Sequence, residues 1–298
     1  MIAYHENYVH PLSENHRFPM EKYDLLPKQL LHEGTAHESD FFKPETLDEE
    51  NLLDVHCSTY WNRLKNLQLS DGEQRVSGFV HSNELVVREI TIMEGTRMAA
   101  KLALSNKIGF NIAGGTHHAF YDRGEGFCLL NDQVIAAQWI LKNTKIKKIL
   151  IIDLDVHQGN GTASLLKNDN RVFTFSMHGD NNYPMQKEKS DLDIPLKDGI
   201  SDNEYLYFLE SSLDTILSNF NPEFIFYQCG VDILETDKLG KLCVSIKGCA
   251  SRDRIVFQTA KKLHVPIVSS MGGGYSPQIK HIVEAHANTF RIGLDILT

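Results

Sequence analysis

From about residue 90 onward, short apolar runs alternate with longer stretches in which apolar residues recur every three or four positions. The short runs cover residues 110–113, 149–154, 172–176, 224–228 and 267–270. They are rich in β-branched or aromatic residues and several are bounded by glycine, which predicts buried strands. The longer stretches, 91–105, 132–143, 201–219, 251–263 and 277–290, predict helices. Ser201 with Glu204 three residues on reads as a capping box, and Ser276-Pro277 as an N-cap followed by an N1 proline. Strands alternating with helices predict an α/β fold with a parallel sheet covered on both faces. The first 90 residues are polar and irregular, with short helical patterns in 44–67 and a loop over 69–81. No Pro/Gly/Ser-rich linker interrupts the chain. The expected organisation is one domain over residues 1–298, with an irregular part at 1–90 and a regular core at 91–290.

Composition narrows the function classes. The 298 residues include 30 Lys+Arg against 39 Asp+Glu, a net charge of −9, with 42% hydrophobic and 23% charged residues. This is an ordinary globular composition. Its acidic balance argues against a direct nucleic-acid partner, which would call for a basic surface. No apolar run approaches the roughly 20 residues needed to span a membrane. Met1-Ile2-Ala3-Tyr4-His5-Glu6 has no basic segment followed by an apolar one, so no secretion signal is expected. Five cysteines (Cys57, Cys128, Cys229, Cys243 and Cys249) without a CxxC pair argue against a disulfide framework or an all-cysteine zinc site, and for a reducing, cytoplasmic location. The 14 histidines are the unusual number.

In open parallel sheets, ligands bind beyond the carboxyl ends of the strands. The segments there are Gly114-Gly115-Thr116-His117-His118, Asp153-Leu154-Asp155-Val156-His157-Gln158-Gly159-Asn160-Gly161, Cys229-Gly230-Val231-Asp232 and Met271-Gly272-Gly273-Gly274-Tyr275. Four strand ends thus deliver His, Asp and Tyr side chains to one edge. Asp153, Asp155 and His157 have period-2 spacing, which in extended chain places them on one side. Asp155 and His157 can then share a metal ion with Asp232. Two carboxylates and one imidazole leave coordination positions open, as catalytic sites do. The competing reading is that Asp153 and Asp155 are buried carboxylates tied to backbone N–H groups, although charges directly after an apolar run are costly unless paired or metal-bound. Taken singly, His117-His118 could be surface histidines, and Tyr275 and the Phe127-Cys128 pair ordinary packing residues.

The ordered motifs GGTHHAF, GFCLLND, IIDLDVHQGNGT, CGVDILETDKLG and GGGY resemble those of the histone deacetylase superfamily over residues 91–290. The opening HPLSENHRFPMEKY resembles the N-terminal segment of microbial members. DILETDKLG, with Gln158 and Asn160, resembles class IV deacetylases and their bacterial relatives most closely. The resemblance implies the arginase–deacetylase fold, a parallel sheet of about eight strands flanked by helices. It further implies zinc-dependent hydrolysis of acyl-lysine amides. Asp155, His157 and Asp232 would hold Zn2+, and Fe2+ also suits such a donor set. His117 and His118 would form an acid–base dyad assisting a metal-activated water, and the Tyr275 hydroxyl would stabilise the oxyanion. Asp153 would orient His117. Asn160, where some classes have aspartate, would back His118 and leave it less basic. A structural monovalent cation, K+, would be held by Asp153, Asp155, His157, Ser176 and Met177. Gly126, Phe127, Tyr183 and Gly273 would line the substrate tunnel, with Tyr183 more polar than the usual phenylalanine. Arg17 matches a position lining an inner cavity; a surface salt bridge is the competing reading.

One departure concerns the substrate. Residues 78–89 offer no clear match to the rim aspartate of many members, with Glu84 only a candidate. The substrate is therefore expected to be an acyl-lysine peptide or protein, or alternatively a small acetylated amine such as a polyamine. Gly159, where the related ureohydrolases carry an aspartate, argues against their two-metal site. An inactive binding module would be expected to lose Tyr275 or a dyad histidine, and this chain keeps both.

Overall fold

A computed structural model describes residues 1–14 and 16–298. Its strands are β1 (Ile2–Ala3), β2 (Phe41–Phe42), β3 (Ile108–Asn111), β4 (Ile149–Asp153), β5 (Val172–Gly179), β6 (Leu192–Leu196), β7 (Phe224–Gln228) and β8 (Ile267–Ser270). They form one eight-stranded sheet in the order β2-β1-β3-β8-β7-β4-β5-β6. Every neighbouring pair is parallel. The helices are α1 (Lys22–His32), α2 (Glu49–Leu53), α3 (Ser58–Lys65), α4 (Asp71–Ser77), α5 (Asn83–Asn106), α6 (Asp132–Asn143), α7 (Asn160–Leu166), α8 (Asp202–Asn219), α9 (Ile246–Leu263) and α10 (Ile279–Leu297).

Neighbouring residues of β3 show that helices cover both faces. A Cβ at Gly109 would press on the backbone of Ala99 in α5, whereas the next side chain, Phe110, reaches Gly293 in α10. Successive residues of a strand point to opposite faces, so α5 and α10 lie on opposite sides of the sheet. Phe110 also stacks on Phe290 of α10, with ring centroids 4.4 Å apart. β3, β4, β7 and β8 are buried along their whole length. That is why they read as continuous apolar runs rather than alternating ones. Among the described residues, no helix is long and apolar enough to cross a membrane.

The structure departs from the sequence reading at element ends and edges. α4 occupies a stretch expected to be loop. Ser70 and Glu73 cap each other reciprocally, and Gly78, at φ 83°, ends the helix in the left-handed region. α5 begins at Asn83, where Ser82 Oγ accepts from the Leu85 N–H at 3.1 Å. Its early turns bury polar residues (Arg88, Glu89, Thr91), which blurs the apolar stripe. α10 begins at Ile279, two residues beyond Pro277, and Ser276 Oγ bonds Thr236 Oγ1 at 2.7 Å instead of capping. β1 and β2 have two residues each, too few to show a period. β6 is only partly buried and carries Pro195 opposite His178.

Candidate active site

The strand register sets the site. Because the sheet is parallel, Asn111, Ser270, Gln228, Asp153 and Ser176 pair in sequence across five strands; the first four end their strands at one edge, and β5 runs on to Gly179. The segments that follow carry the chemistry.

Asp155 and His157 follow β4, and Asp232 follows β7. Each offers a ligand atom within 4.8 Å of the others'. His157 Nδ1 lies 3.1 Å from both Asp155 Oδ1 and Asp232 Oδ2. Backbone donors fix the carboxylates: Gly273 N–H donates to Asp155 Oδ2 at 2.8 Å, and Val156 N–H to Asp232 Oδ1 at 2.9 Å. A Cβ at Gly273 would collide with Asp232 Oδ2, so this close approach of backbone to carboxylate requires glycine. Burial raises the Asp232 carboxyl, and the Asp155 charge adds to the rise. Burial lowers His157, but its bonds to the two aspartates outweigh that and bring it to about 10. Two adjacent buried carboxylates and an imidazole form a donor set suited to a divalent cation such as Zn2+ or Fe2+, whose charge would relieve their mutual repulsion.

His117 and His118 follow β3, their ring centroids 4.1 Å apart. His117 Nδ1 lies 2.7 Å from Asp153 Oδ2, and His118 Nδ1 lies 2.6 Å from Asn160 Oδ1. Burial lowers His117, but Asp153 and then Asp155 reverse this and carry it to about 9. His118 is driven well below its usual value by burial and by the charges of His117 and His157, against a smaller upward contribution from Asn160. The loop is anchored by Asp132, at the start of α6, whose carboxylate accepts from Thr116 N–H, Thr96 Oγ1 and Ser270 Oγ. Gln228 Nε2 donates to Gly115 O at 2.8 Å.

A cavity of about 460 Å³ opens onto this edge, lined by His118, His157, Gly126, Phe127, Tyr183 and Tyr275 among others. Phe127 is held by the end of α4: its N–H donates to Ser77 O, and its ring fills the space a Cβ on Gly78 would need. The Gly126 N–H is committed to Val76 O at 3.1 Å, and its carbonyl accepts from Cys128 Sγ at 3.4 Å with one lone pair to spare. The Tyr183 ring stands edge-on to His118, centroids 5.0 Å apart, and its hydroxyl donates to Glu125 Oε2 at 2.6 Å. Tyr275 N–H donates to Asp237 Oδ2 at 2.6 Å, which sets its ring along the wall. Deeper lies a cavity of about 40 Å³, lined by Tyr23, Arg88, His117, Asp155 and Gly273 among others.

Three expectations are corrected. Arg17 is exposed and lines the outer cavity rather than the inner one. The cation at the inner cavity is Arg88, paired with Glu89 at 2.5 Å and bonded through Nε to Tyr8 O. Gly273 lines the inner cavity, not the tunnel wall, because its N–H is turned onto Asp155. Glu84 is exposed in the first turn of α5 and lines neither cavity. Ser176 and Met177 are buried on β5, and Ser176 pairs with Asp153.

Asp132, Arg88, Asp237 and Lys22 had no role in the sequence reading. Asp132 and Asp237 lie inside motifs, which was a usable signal. Lys22 also lies inside a motif segment, HPLSENHRFPMEKY, whereas Arg88 had no such signal. Lys22 is fully buried, donates to Gly272 O at 2.8 Å, and is lowered by burial to about 8.

Comparison with known proteins shows the family and the fold. The histone deacetylase domain family matches residues 16–290. The chain is 41% identical to an uncharacterized protein of Picosynechococcus sp., over 99% of this chain and 98% of that one. It is 32% identical to histone deacetylase 2 of Arabidopsis thaliana, over 94% of this chain and 75% of the relative. The crystal structure of an HDAC homolog from Aquifex aeolicus superposes with a TM-score of 0.85 at 25% identity, covering 98% of this chain and 83% of that one. With the family model matching residues 16–290 and a histone deacetylase 32% identical over 94% of this chain, the protein belongs to the histone deacetylase family.

Proposed function

We propose that this protein hydrolyses the amide of acetylated lysine side chains, using a divalent metal, preferably Zn2+, held by Asp155, His157 and Asp232. Family membership supports a hydrolase acting on amides. The observation that carries the finer reading is convergence. A buried Asp–His–Asp group stands beside two histidines with separate partners, and His118, His157 and Tyr275 from this cluster line one open cavity.

A metal ion at the triad supplies Lewis-acid polarisation of a carbonyl and a nucleophile at neutral pH. The chain's own groups divide the remaining work. Asn160 Oδ1 accepts a hydrogen bond, so the neutral His118 carries its proton on Nδ1 and presents the Nε2 lone pair as a base. Asp153, also an acceptor, keeps the His117 proton on Nδ1 and stabilises an imidazolium there. Tyr275, anchored through its backbone, directs its hydroxyl to the oxyanion. Gly126, Phe127 and Tyr183 flank the lysine chain, and the inner space of about 40 Å³ has room for a small acyl group. Asp153, Asp155, His157, Ser176 and Met177 would hold K+, beside the register where Asp153 pairs with Ser176. Five cysteines without a CxxC pair favour a reducing cytoplasm, and lysine-acetylated peptides or proteins are the partners this reading calls for.

The test is turnover by metal-reconstituted protein of lysine peptides bearing acetyl, hexanoyl or long-chain acyl groups, with acetylated polyamines alongside. Acetyl-lysine should be preferred, and Tyr275→Phe should lower kcat by about 10²–10³-fold. Turnover of polyamines alone would move the protein to small-amine chemistry. No turnover with metal fully bound would leave a binding module.

A further inference from the structure

We propose that the mouth of the cavity recognises a carboxylate on the amine side of the substrate, through Arg17, Arg75 and Lys241. This rests on the acyl-lysine reading above and names the class of acyl-lysine that fits.

All three cations line the cavity whose floor carries His118, His157 and Tyr275, and no Asp or Glu lines it among the described residues. The chain has more acidic than basic residues and ten arginines. Among the described residues, seven of the ten are ion-paired: Arg63, Arg88, Arg97, Arg123, Arg171, Arg252 and Arg291. Of the remaining three, Arg17 and Arg75 both face this one cavity. Lys241 donates to Asn181 O at 2.9 Å and has two further protons to offer.

The carboxylates nearby are already engaged. Glu125 Oε1 accepts from Arg123 Nε at 2.7 Å, and its Oε2 takes the Tyr183 hydroxyl. Asp237 is occupied by the N–H groups of Leu239, Gly240 and Tyr275. The mouth is therefore a positive rim on a negative protein. Arg17 and Arg75 also line an adjoining hollow of about 560 Å³, in which Asp71 is the only carboxylate among the described residues. An extended peptide leaving the cavity passes these guanidiniums, and a neighbouring Asp or Glu side chain finds a geometrically suited, unpaired partner. A polyamine brings cations to the same rim and is repelled. A carboxylate could also come from the α-carboxyl of free Nε-acetyl-lysine.

The experiment measures kcat/KM of the metal-loaded full-length enzyme on acetyl-lysine peptides with Asp/Glu, Gln or Lys/Arg neighbours. Free Nε-acetyl-lysine, its amide and acetylated polyamines are measured in parallel. Acidic peptides should exceed basic ones by about tenfold at low ionic strength, with the ratio shrinking as salt is added. In Arg17→Gln/Arg75→Gln the ratio should approach one, and in Arg17→Glu/Arg75→Glu it should invert. Both positions are exposed, and matching thermal melts would establish that the variants fold. A preference for free Nε-acetyl-lysine over its amide, exceeding the peptide effect, would assign the rim to the α-carboxylate. Turnover that ignores flanking charge, or that favours basic peptides, would overturn the proposal and leave deacetylation standing. If no acyl-lysine is turned over, the acyl-lysine reading itself fails and the rim's role fails with it.

Discussion

The strand-end edge and the N-terminal ninety residues reach the same site by opposite routes. At the edge, every reactive group lies within a few residues of a strand end, and parallel register brings those ends together. The N-terminal part contributes no reactive group to the floor. It contributes braces. Lys22 reaches Gly272 O, 250 positions away. His56 Nδ1 bonds Phe120 O at 2.8 Å while its Nε2 accepts from Asn131 N–H at 3.0 Å. Tyr60 OH donates to Leu129 O at 2.9 Å, and Gly78 makes room for Phe127. Chemistry concentrates where backbone order is local, and wall shape is set by contacts between distant segments.

The two regions should fail differently when broken. Asp232→Asn, at the edge, should leave the fold intact but weaken divalent-metal affinity by at least about 10²-fold, read as metal content after dialysis, with turnover lost in parallel. Full metal retention would remove Asp232 from the ligand set. Arg88→Met, in the N-terminal part, should act on stability. It leaves Glu89, itself raised by burial, without its partner, and should cost about 3–5 kcal/mol in chemical denaturation. A loss below about 1 kcal/mol would show the pair to be dispensable.

His56 gives this brace a pH signature. Burial lowers it from 6.5 to about 4 in the folded protein. Between those values the unfolded chain binds more protons than the folded one, so stability falls as pH drops below about 6.5, and the loss is complete below about 4. The stability advantage of wild type over His56→Gln should therefore shrink by about 3 kcal/mol across that window. A constant gap would mean that His56 does not titrate there. The smallest effect is expected at Gly78→Ala, where φ is 83° and the added methyl would lie 2.6 Å from the Phe127 ring. It should cost about 1–3 kcal/mol and raise KM more than it lowers kcat. An unchanged KM would separate α4 from the substrate wall.

This contrast also explains what the sequence disclosed. The five central strands β3, β8, β7, β4 and β5 were legible because burial on both faces leaves a continuous apolar run. β1 and the two edge strands, β2 and β6, were not, being two residues long or half polar. Asp155, His157, Asp232 and the two histidines were legible because their spacing is local to strand ends. Arg17 was expected inside because its motif position pointed there, yet the chain turns it outward and Arg88, from α5, takes the inner place. Its ion-pair partner Glu89 is the next residue, but the contacts that fix its place, with Tyr8 O and Met20 Sδ, come from other segments, so the local sequence does not mark it.

The two outermost strands carry a consequence for association between chains. An unpaired strand edge is a template on which foreign strands can add, the first step towards aggregates. Here one edge is β2, only two residues long, and the other is β6, where Pro195 removes an N–H. Neither edge offers a run of free donors and acceptors long enough to seed a neighbour, so the eight-stranded sheet resists growing past its own borders.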